Sequence, residues 1–469
     1  MRAWRLGVRM RNGIIILSIL FAVCQALFLI GCSEVTMTSQ LGTSPSGTDA
    51  TSDPASRISW QQTLDGYFDI SESFDELQDW TANGLFPSGS GGTMPYDSAH
   101  LPRKQDGSLG HWGYWNNKAP TCLASSMTGS FTKGETVSNG HGASWIYRAT
   151  WVLEGQSYLQ FDTYPMTGTI SPGDTLTGAT SSAMAKMVGW PKIIANFDTY
   201  TWRGQGKSLA MNLGDNDNPD AMAGLGAQRL GIFFGNGISG KSGYKKAYVF
   251  MMLRFKPNFF PRVDASSFAF VSVLKMFDFN TGFTSIDYWG NLNEHASTTG
   301  SPQMNVEYGP NGSVINIGGG GASTPSRLFY MDNSSVAQWM GSAWSYKNLS
   351  SARMTNDSTQ DNDLQSYVQS GDWFGIEAAL DVGTVNSSDG TMEFWVYDKN
   401  GNQKGYYASG ATPRLVQFDH WINKIVLGGN RRSSGTATST TDGRYYVDDF
   451  IINKSRIGPA YFQLLLIHS

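Results

Sequence analysis

The chain has 469 residues, room for more than one domain, and 40% hydrophobic with 13% aromatic side chains exclude wholesale disorder. Only 15% of residues are charged and the net charge is −4; because the four charges within the first 31 residues are all arginines (Arg2, Arg5, Arg9, Arg11), the body of the chain is more acidic still. No Lys/Arg run is present to displace phosphate counterions, which argues against nucleic-acid binding.

The basic stretch Met1–Arg11 leads into the uncharged, largely apolar run Gly13–Gly31. The run ends in Leu29-Ile30-Gly31-Cys32, which resembles a bacterial lipobox. The resemblance implies that residues 1–31 are a lipoprotein signal peptide and that Cys32 is lipidated and becomes the mature N-terminus. An uncleaved anchor is the alternative, since the run approaches the roughly 20 residues that span a bilayer. Ser33 after the cysteine goes, in Gram-negative lipoproteins, with sorting to the outer membrane, so the expected place is the bacterial envelope, with the membrane a partner through the lipid. Of the three cysteines, Cys24 lies in the apolar run, so Cys122 has no intrachain partner. Neither a disulfide framework nor a zinc cluster follows.

Residues 32–59, rich in Ser, Thr, Gly, Asp and Pro and free of aromatics, read as a flexible tether. Globular sequence begins at Trp60 and is taken as a single elaborated sandwich over 60–462. Two short helices are expected, at Ser181–Val188 and Asp363–Val368. Strands are expected at Trp145–Trp151, Tyr158–Thr163, Ser208–Asn212 and Leu230–Phe234. From Ala247 onward the pattern strengthens. Ala247–Lys256, Ser267–Phe279, Gln303–Tyr308, Ser313–Ile317, Trp373–Val382, Thr391–Tyr397, Trp421–Leu427 and Tyr445–Asn453 read as eight strands. The turn pairs Asp389-Gly390, Asn400-Gly401 and Asp442-Gly443, which accept positive φ, separate several of them.

Alternation assigns Val249, Met251, Leu253 and Phe255 to a core face, and Tyr248, Phe250, Met252, Arg254 and Lys256 to the other. In Thr391–Tyr397, Met392, Phe394 and Val396 point inward while Glu393, Trp395 and Tyr397 point out. Aromatics mixed with charges on an outward face are unusual for a surface that only has to stay soluble.

The succession YVFMMLRFKPNFF, FAFVSVLKMFDF, WFGIEAALDVGTVNSSDGTMEFWVYDKNGN, INKIVLGGNRR and YYVDDFIINKSRIGP resembles the concanavalin A-like jelly roll, in the branch of polysaccharide lyases and laminin-G-like lectin domains. The likeness spans about 190–459; earlier, only YFDISESFDELQDW fits, as a first strand pairing with the last. The resemblance implies an all-β jelly-roll β-sandwich with long loops and few short helices, and a polysaccharide partner on its concave face. Arg254, Lys275, Glu393, Trp395 and Tyr397 are the expected carbohydrate-binding set, with aromatic rings stacking on sugars and charges meeting hydroxyls or uronates. Arg431, in the Asn430-Arg431-Arg432 end of a strand, is where related lyases place substrate-binding groups.

Binding is placed ahead of cleavage, because the alginate-lyase strand signatures Arg-Ser/Thr-Glu-Leu-Arg, Gln-Ile-His and Tyr-Phe-Lys-Ala-Gly are absent. The Glu-x-Asp-x-x-Glu strand of retaining laminarinase-type hydrolases is absent too. Glu377 and Glu393 are left as a possible carboxylate pair. A divergent lyase using Arg254, Lys275 and Arg431 against a uronate, with a Tyr or His base, is the alternative; a structural envelope lipoprotein is a second. His111, His295 and His420 are the loop histidines considered for the base. Gly235–Gly240 matches a dinucleotide fingerprint only formally, with no βαβ unit around it. Asp215, Asp217 and Asp220 fail as an EF-hand-like loop because Pro219 takes a ligand position. Calcium is the one cofactor considered, with Asp448 or Asp449 as a ligand and the two expected on opposite faces of the last strand.

Overall fold

In a computed structural model of the chain, the described residues are 59–81, 101–117, 121–153, 155–212, 228–234, 243–256, 371–381, 391–408, 421–429, 431–433 and 444–468, with 383, 384, 387 and 389; for 269–278, 303–309 and 312–317 the backbone alone is described. Three strand systems result. A nine-stranded sheet runs in the order Gln403–Ala408, Thr391–Asp398, Phe374–Asp381, Lys246–Phe255, Arg444–Asn453, Ser208–Asn212, Lys192–Ala195 and Trp80–Thr81, and Ile70–Glu72 also pairs with Arg444–Asn453. A seven-stranded sheet runs Gly312–Ile317, Gln303–Gly309, Ala269–Asp278, Ile422–Gly429, Gln228–Phe233 and Trp112–Asn117, and Arg431–Ser433 pairs with Ala269–Asp278. All eight strands expected from Ala247 onward form, and Ile70–Glu72 pairs antiparallel with the last strand as its sequence led us to expect. The architecture is an all-β sandwich with few helices.

Val249, Met251, Leu253 and Phe255 are buried on the inner face of the central strand, and Tyr445, Val447, Phe450 and Ile452 continue that face on its neighbour. Trp112, from the other sheet, lies 5.7 Å from Phe450 and stacks on Phe74 at 5.9 Å, which bridges the two layers. Leu253 is wholly buried, so Leu253→Asp strands an unpaired charge between the sheets. The cooperative thermal transition followed by circular dichroism should be lost.

Residues 121–189 depart from the expected single sandwich. Thr121–Thr128, Gln156–Thr167, Ser144–Leu153, Thr136–Ser138, Thr175–Gly178 and Met184–Gly189 close into a barrel of their own, the last strand pairing back onto the first. Its core includes Cys122, Val137, Trp145, Leu159, Phe161, Leu176 and Met187. The expected helix at Ser181–Val188 is overturned here. Ala185 and Met187 are buried while Met184, Lys186 and Val188 are exposed, a period of two that barrel pairing favours over the helical propensity of Ala, Met and Lys. Cys122 is buried, and burial pushes its thiol up to about 12, so it behaves as a small apolar side chain. The expected helix at Asp363–Val368 lies outside the described residues.

Two helices frame the sandwich. Helix α1, Trp60–Tyr67, starts in a reciprocal cap: Ser59 Oγ accepts from Gln62 N, and Gln62 Oε1 accepts from Ser59 N. Helix α2, Gly458–His468, begins at a Gly-Pro pair and lies on the outer face of the nine-stranded sheet. Its approach is close: a Cβ on Gly458 would stand 2.4 Å from the Tyr397 ring, and one on Gly375 would stand 3.2 Å from the Phe462 ring of the helix.

Candidate functional site

The outer face of the nine-stranded sheet is the one the sequence nominates for ligand, and helix α2 occupies its middle. Phe250, Met252, Tyr397, Tyr446 and Ile451 from the strands form one cluster with Tyr461, Phe462 and Leu464 from α2 and Leu64 from α1. This corrects the expectation for two residues. Alternation does place Trp395 and Tyr397 on the outer face, but they are only 3% and 2% exposed because the helix and its approach loop cover them.

Glu377 holds that helix in place. It is fully buried and accepts from Ile457 N at 2.6 Å, Gly458 N at 3.1 Å, Arg456 Nε at 3.2 Å and the Tyr397 hydroxyl at 2.9 Å. Amides at a helix start have no intrahelical acceptor, and a carboxylate there satisfies them and favours the positive end of the helix dipole. Glu377 therefore caps the helix and does not pair with Glu393, whose partners are Lys246 Nζ at 3.2 Å and the Tyr406 hydroxyl at 2.9 Å.

Asp448 and Asp449 form a second anchor. The sequence places them on opposite faces, but a bulge intervenes: Phe250 registers with Ile451 and Met252 with Asp448, so the last strand carries one extra residue at this point. Asp449 takes φ of 47°, and both side chains turn to the helix side. Asp449 Oδ1 accepts from Trp60 Nε1 at 2.8 Å and Oδ2 from the Tyr461 hydroxyl at 2.5 Å. Asp448 Oδ2 accepts from Trp202 N and Oδ1 from Asp449 N, each at 2.9 Å. All four carboxylate oxygens thus face N–H or O–H protons, with the Arg203 guanidinium close by. That donor set does not fit a calcium ion. Among the described residues no group of three or more His, Cys, Asp or Glu side chains gathers as a metal site.

The helix leaves the two ends of the face open, and the expected binding residues divide between them and the other sheet. Lys275 and Arg431 are in the seven-stranded sheet, where Lys275 registers with Gln303 and Val426, and Arg431 with Val271. They cannot share a face with Arg254 or Glu393, because the chain changes layers between Lys246–Phe255 and Ala269–Asp278. Arg254 and Glu393 share a sheet but not a site. Tyr248 aligns with Ala379 and Ala379 with Glu393, so Arg254 stands six residues further along, about 20 Å away.

At one end, Arg254 Nε donates to Gly371 O at 2.5 Å, another guanidinium nitrogen donates to Thr199 O, and the group lies 4.4 Å over the Tyr200 ring. Tyr200 stacks at 4.5 Å on Tyr446, with Lys256 at 5.5 Å. At the other end, Tyr406, 49% exposed, stacks on Trp395 at 5.4 Å, and Trp395 lies 6.1 Å from the half-buried Tyr248. Arg456 lies 3.8 Å above the Trp395 ring, and Lys246 lies 5.1 Å over Tyr248. A strip of three rings edged by Lys246, Glu393 and Arg456 results. Trp395 is its floor and Tyr406 its accessible ring. Sequence reading missed Tyr406, Lys246 and Arg456; alternation through the Gln403–Ala408 hairpin partner would have put Tyr406 beside Trp395.

Among the loop histidines, His111 is exposed beside buried Trp112, while His295 and His420 lie outside the described residues, as do Asp215, Asp217, Asp220 and Gly235–Gly240.

No protein-family model and no curated protein matches the chain. Solved structures with partial likeness include an alginate lyase from Aplysia kurodai (10% identity, 48% of this chain and 82% of that one, TM-score 0.27). An alginate lyase from Chlorella virus (12%, 56% and 88%, 0.29) and an endo-β-1,4-glucuronan lyase from the fungus Trichoderma reesei (8%, 56% and 87%, 0.29) are others. Each TM-score is below 0.5, so the fold assignment rests on the sheet topology itself.

Proposed function

We propose that the chain is a carbohydrate-recognising protein, lipid-anchored in the bacterial envelope through Cys32, that binds polysaccharide on the strip at Tyr406, Trp395 and Tyr248. The half-exposed Tyr406 ring, backed by a buried tryptophan, carries this reading. Large apolar rings held open at a surface, with hydrogen-bonding groups at their edge, match the apolar faces and hydroxyls of a sugar. The anchor rests on the lipobox-like residues and the tether that follows them.

The test is a glycan array probed with full-length wild type and Tyr406→Ala, together with fractionation of Cys32→Ser. Wild type should mark a set of glycans that the tyrosine variant loses, and Cys32→Ser should leave the membrane fraction and lose acyl labelling. An array with no signal rejects carbohydrate recognition; a Cys32→Ser protein still in the membrane favours an uncleaved anchor.

A second reading, a divergent polysaccharide lyase, draws on the other end of the face, where Arg254 lies over Tyr200 with Lys256 beside it. A β-elimination needs a cation against the uronate and a tyrosine that, as phenolate, takes the C5 proton and returns it as the phenol to the departing glycosidic oxygen as the C4–O bond breaks. Absorbance of unsaturated uronate products from alginate or glucuronan would reveal it, and Tyr200→Phe should abolish that signal.

A further inference from the structure

We infer that the Tyr406 strip takes neutral, hydroxyl-rich polysaccharides and rejects uronate and sulfate polymers, an inference that rests on the carbohydrate reading above. Its cations are already matched. Lys246 Nζ lies 3.2 Å from Glu393 Oε2, Arg456 Nε lies 3.2 Å from Glu377 Oε2, and on the adjoining strand Lys404 Nζ lies 3.7 Å from Asp398 Oδ2. An anionic sugar therefore meets no surplus positive charge on the strip. It also meets Glu393, whose side chain is 23% exposed and stands between Lys246 and Tyr406. Like charges this close disfavour one another.

What the strip does offer suits hydroxyls. Glu393 is an acceptor at the rim, holding Lys246 and the Tyr406 hydroxyl, and a carboxylate takes sugar hydroxyls as charge-assisted hydrogen bonds. Arg456 uses Nε on Glu377 and Nη2 on the Tyr397 hydroxyl, which leaves Nη1 without a bond to another described residue. That nitrogen belongs to a guanidinium layered on Trp395, between the Tyr406 and Tyr248 rings. Donor, acceptor and stacking ring are thus side by side on a charge-balanced surface. The opposite end of the face, with Arg254 and Lys256 around Tyr200, differs in having two cations about one ring.

Affinity gel electrophoresis of the full-length protein in detergent tests this, with hydroxyethylcellulose and glucomannan as neutral probes and alginate and polygalacturonate as anionic ones. At low salt, wild type should be retarded by at least one neutral polymer and by neither anionic one. Tyr406→Ala should weaken that retardation at least tenfold, while Tyr406→Phe, which keeps the ring, should retain most of it. Glu393→Gln, which releases Lys246, should begin to bind alginate. Retardation of wild type by an anionic polymer that Tyr406→Ala diminishes overturns the neutral class while leaving carbohydrate recognition standing. Glu393→Gln still blind to alginate removes the charge-balance argument. No retardation by any of the four polymers defeats the inference and counts against the parent reading as well. A thermal melt of each variant, matching wild type, confirms that the changes act at the surface.

Discussion

Replacing Glu377 with alanine should cost about 3 kcal/mol and detach the C-terminal helix from the sheet. Four donors converge on this fully buried carboxylate, and two of them, Ile457 N and Gly458 N, are main-chain amides at the start of α2. Each buried donor left without an acceptor costs about 1–3 kcal/mol. Arg456 is 35% exposed and can regain water, so the loss falls mainly on the two amides and the Tyr397 hydroxyl. Glu377→Gln should be damaging too, because its amide N–H groups would point at neighbours that are themselves donors. Urea unfolding should show a lower midpoint for both variants. Limited proteolysis should cut the alanine variant near Gly458 first. An unchanged midpoint in Glu377→Ala would mean that apolar packing of Tyr461, Phe462 and Leu464 holds the helix without help.

The strands of the sandwich were legible because their signals are local. Alternation in Ala247–Lys256 and Thr391–Tyr397 gave the correct inner faces, and Gly-containing turns marked the hairpin at Asn400-Gly401. What alternation cannot tell is what lies against an outer face. A strand with Phe250 and Met252 on one side and Met251 and Leu253 on the other is buried on both, and that double burial was readable as a warning that something covers the sheet. The covering helix was hidden by its own first residues. Gly458-Pro459 reads as a break after a strand, yet proline is well suited to a first helical turn, and the missing cap is supplied by Glu377 from a distant strand. Likewise the barrel strand Met184–Gly189 is made of good helix formers and becomes a strand through its pairing with Thr121–Thr128 on one side and Thr175–Gly178 on the other.

The site was legible in part for the same reason. Glu393 and Trp395 were singled out from one strand and do sit together on the strip, one at its rim and one as its floor. Lys275 was grouped with them by parity and composition and Arg431 by the resemblance to related lyases, and sheet membership is a tertiary property that none of these carries. The bulge at Asp448–Asp449 is a further case. Strict alternation sends adjacent residues to opposite faces, and a single irregularity in register returns both to the same side, where Trp60 and Tyr461 meet them.

That bulge sets up the other large expected effect: stability should fall as pH rises from about 4 to about 8. Burial is the main cause of a raised Asp449, pushed up to about 6, and of an Asp448 held well above the usual carboxylate range by burial and by the neighbouring charges of Asp449 and Asp75. Burial likewise pushes Glu72, on the strand paired beside them, up to about 8. With folded-state values above unfolded ones, the folded protein binds the extra protons. The stability these groups confer is complete below the unfolded value near 4 and is lost as pH climbs through the folded values. For Asp449 alone the loss is on the order of 3 kcal/mol. Asp448→Asn removes one of the two adjacent carboxylates, so it should flatten the pH dependence of the melting temperature, while its amide N–H groups, facing the main-chain donors Trp202 N and Asp449 N, should lower the melting temperature at acid pH. Because Asp449 joins α1 through Trp60 to α2 through Tyr461, the same titration should loosen both helices together, read as faster amide exchange in Trp60–Tyr67 and Gly458–His468 at high pH. Equal pH slopes for Asp448→Asn and wild type would place the proton uptake elsewhere, with Glu72 as the next group to replace.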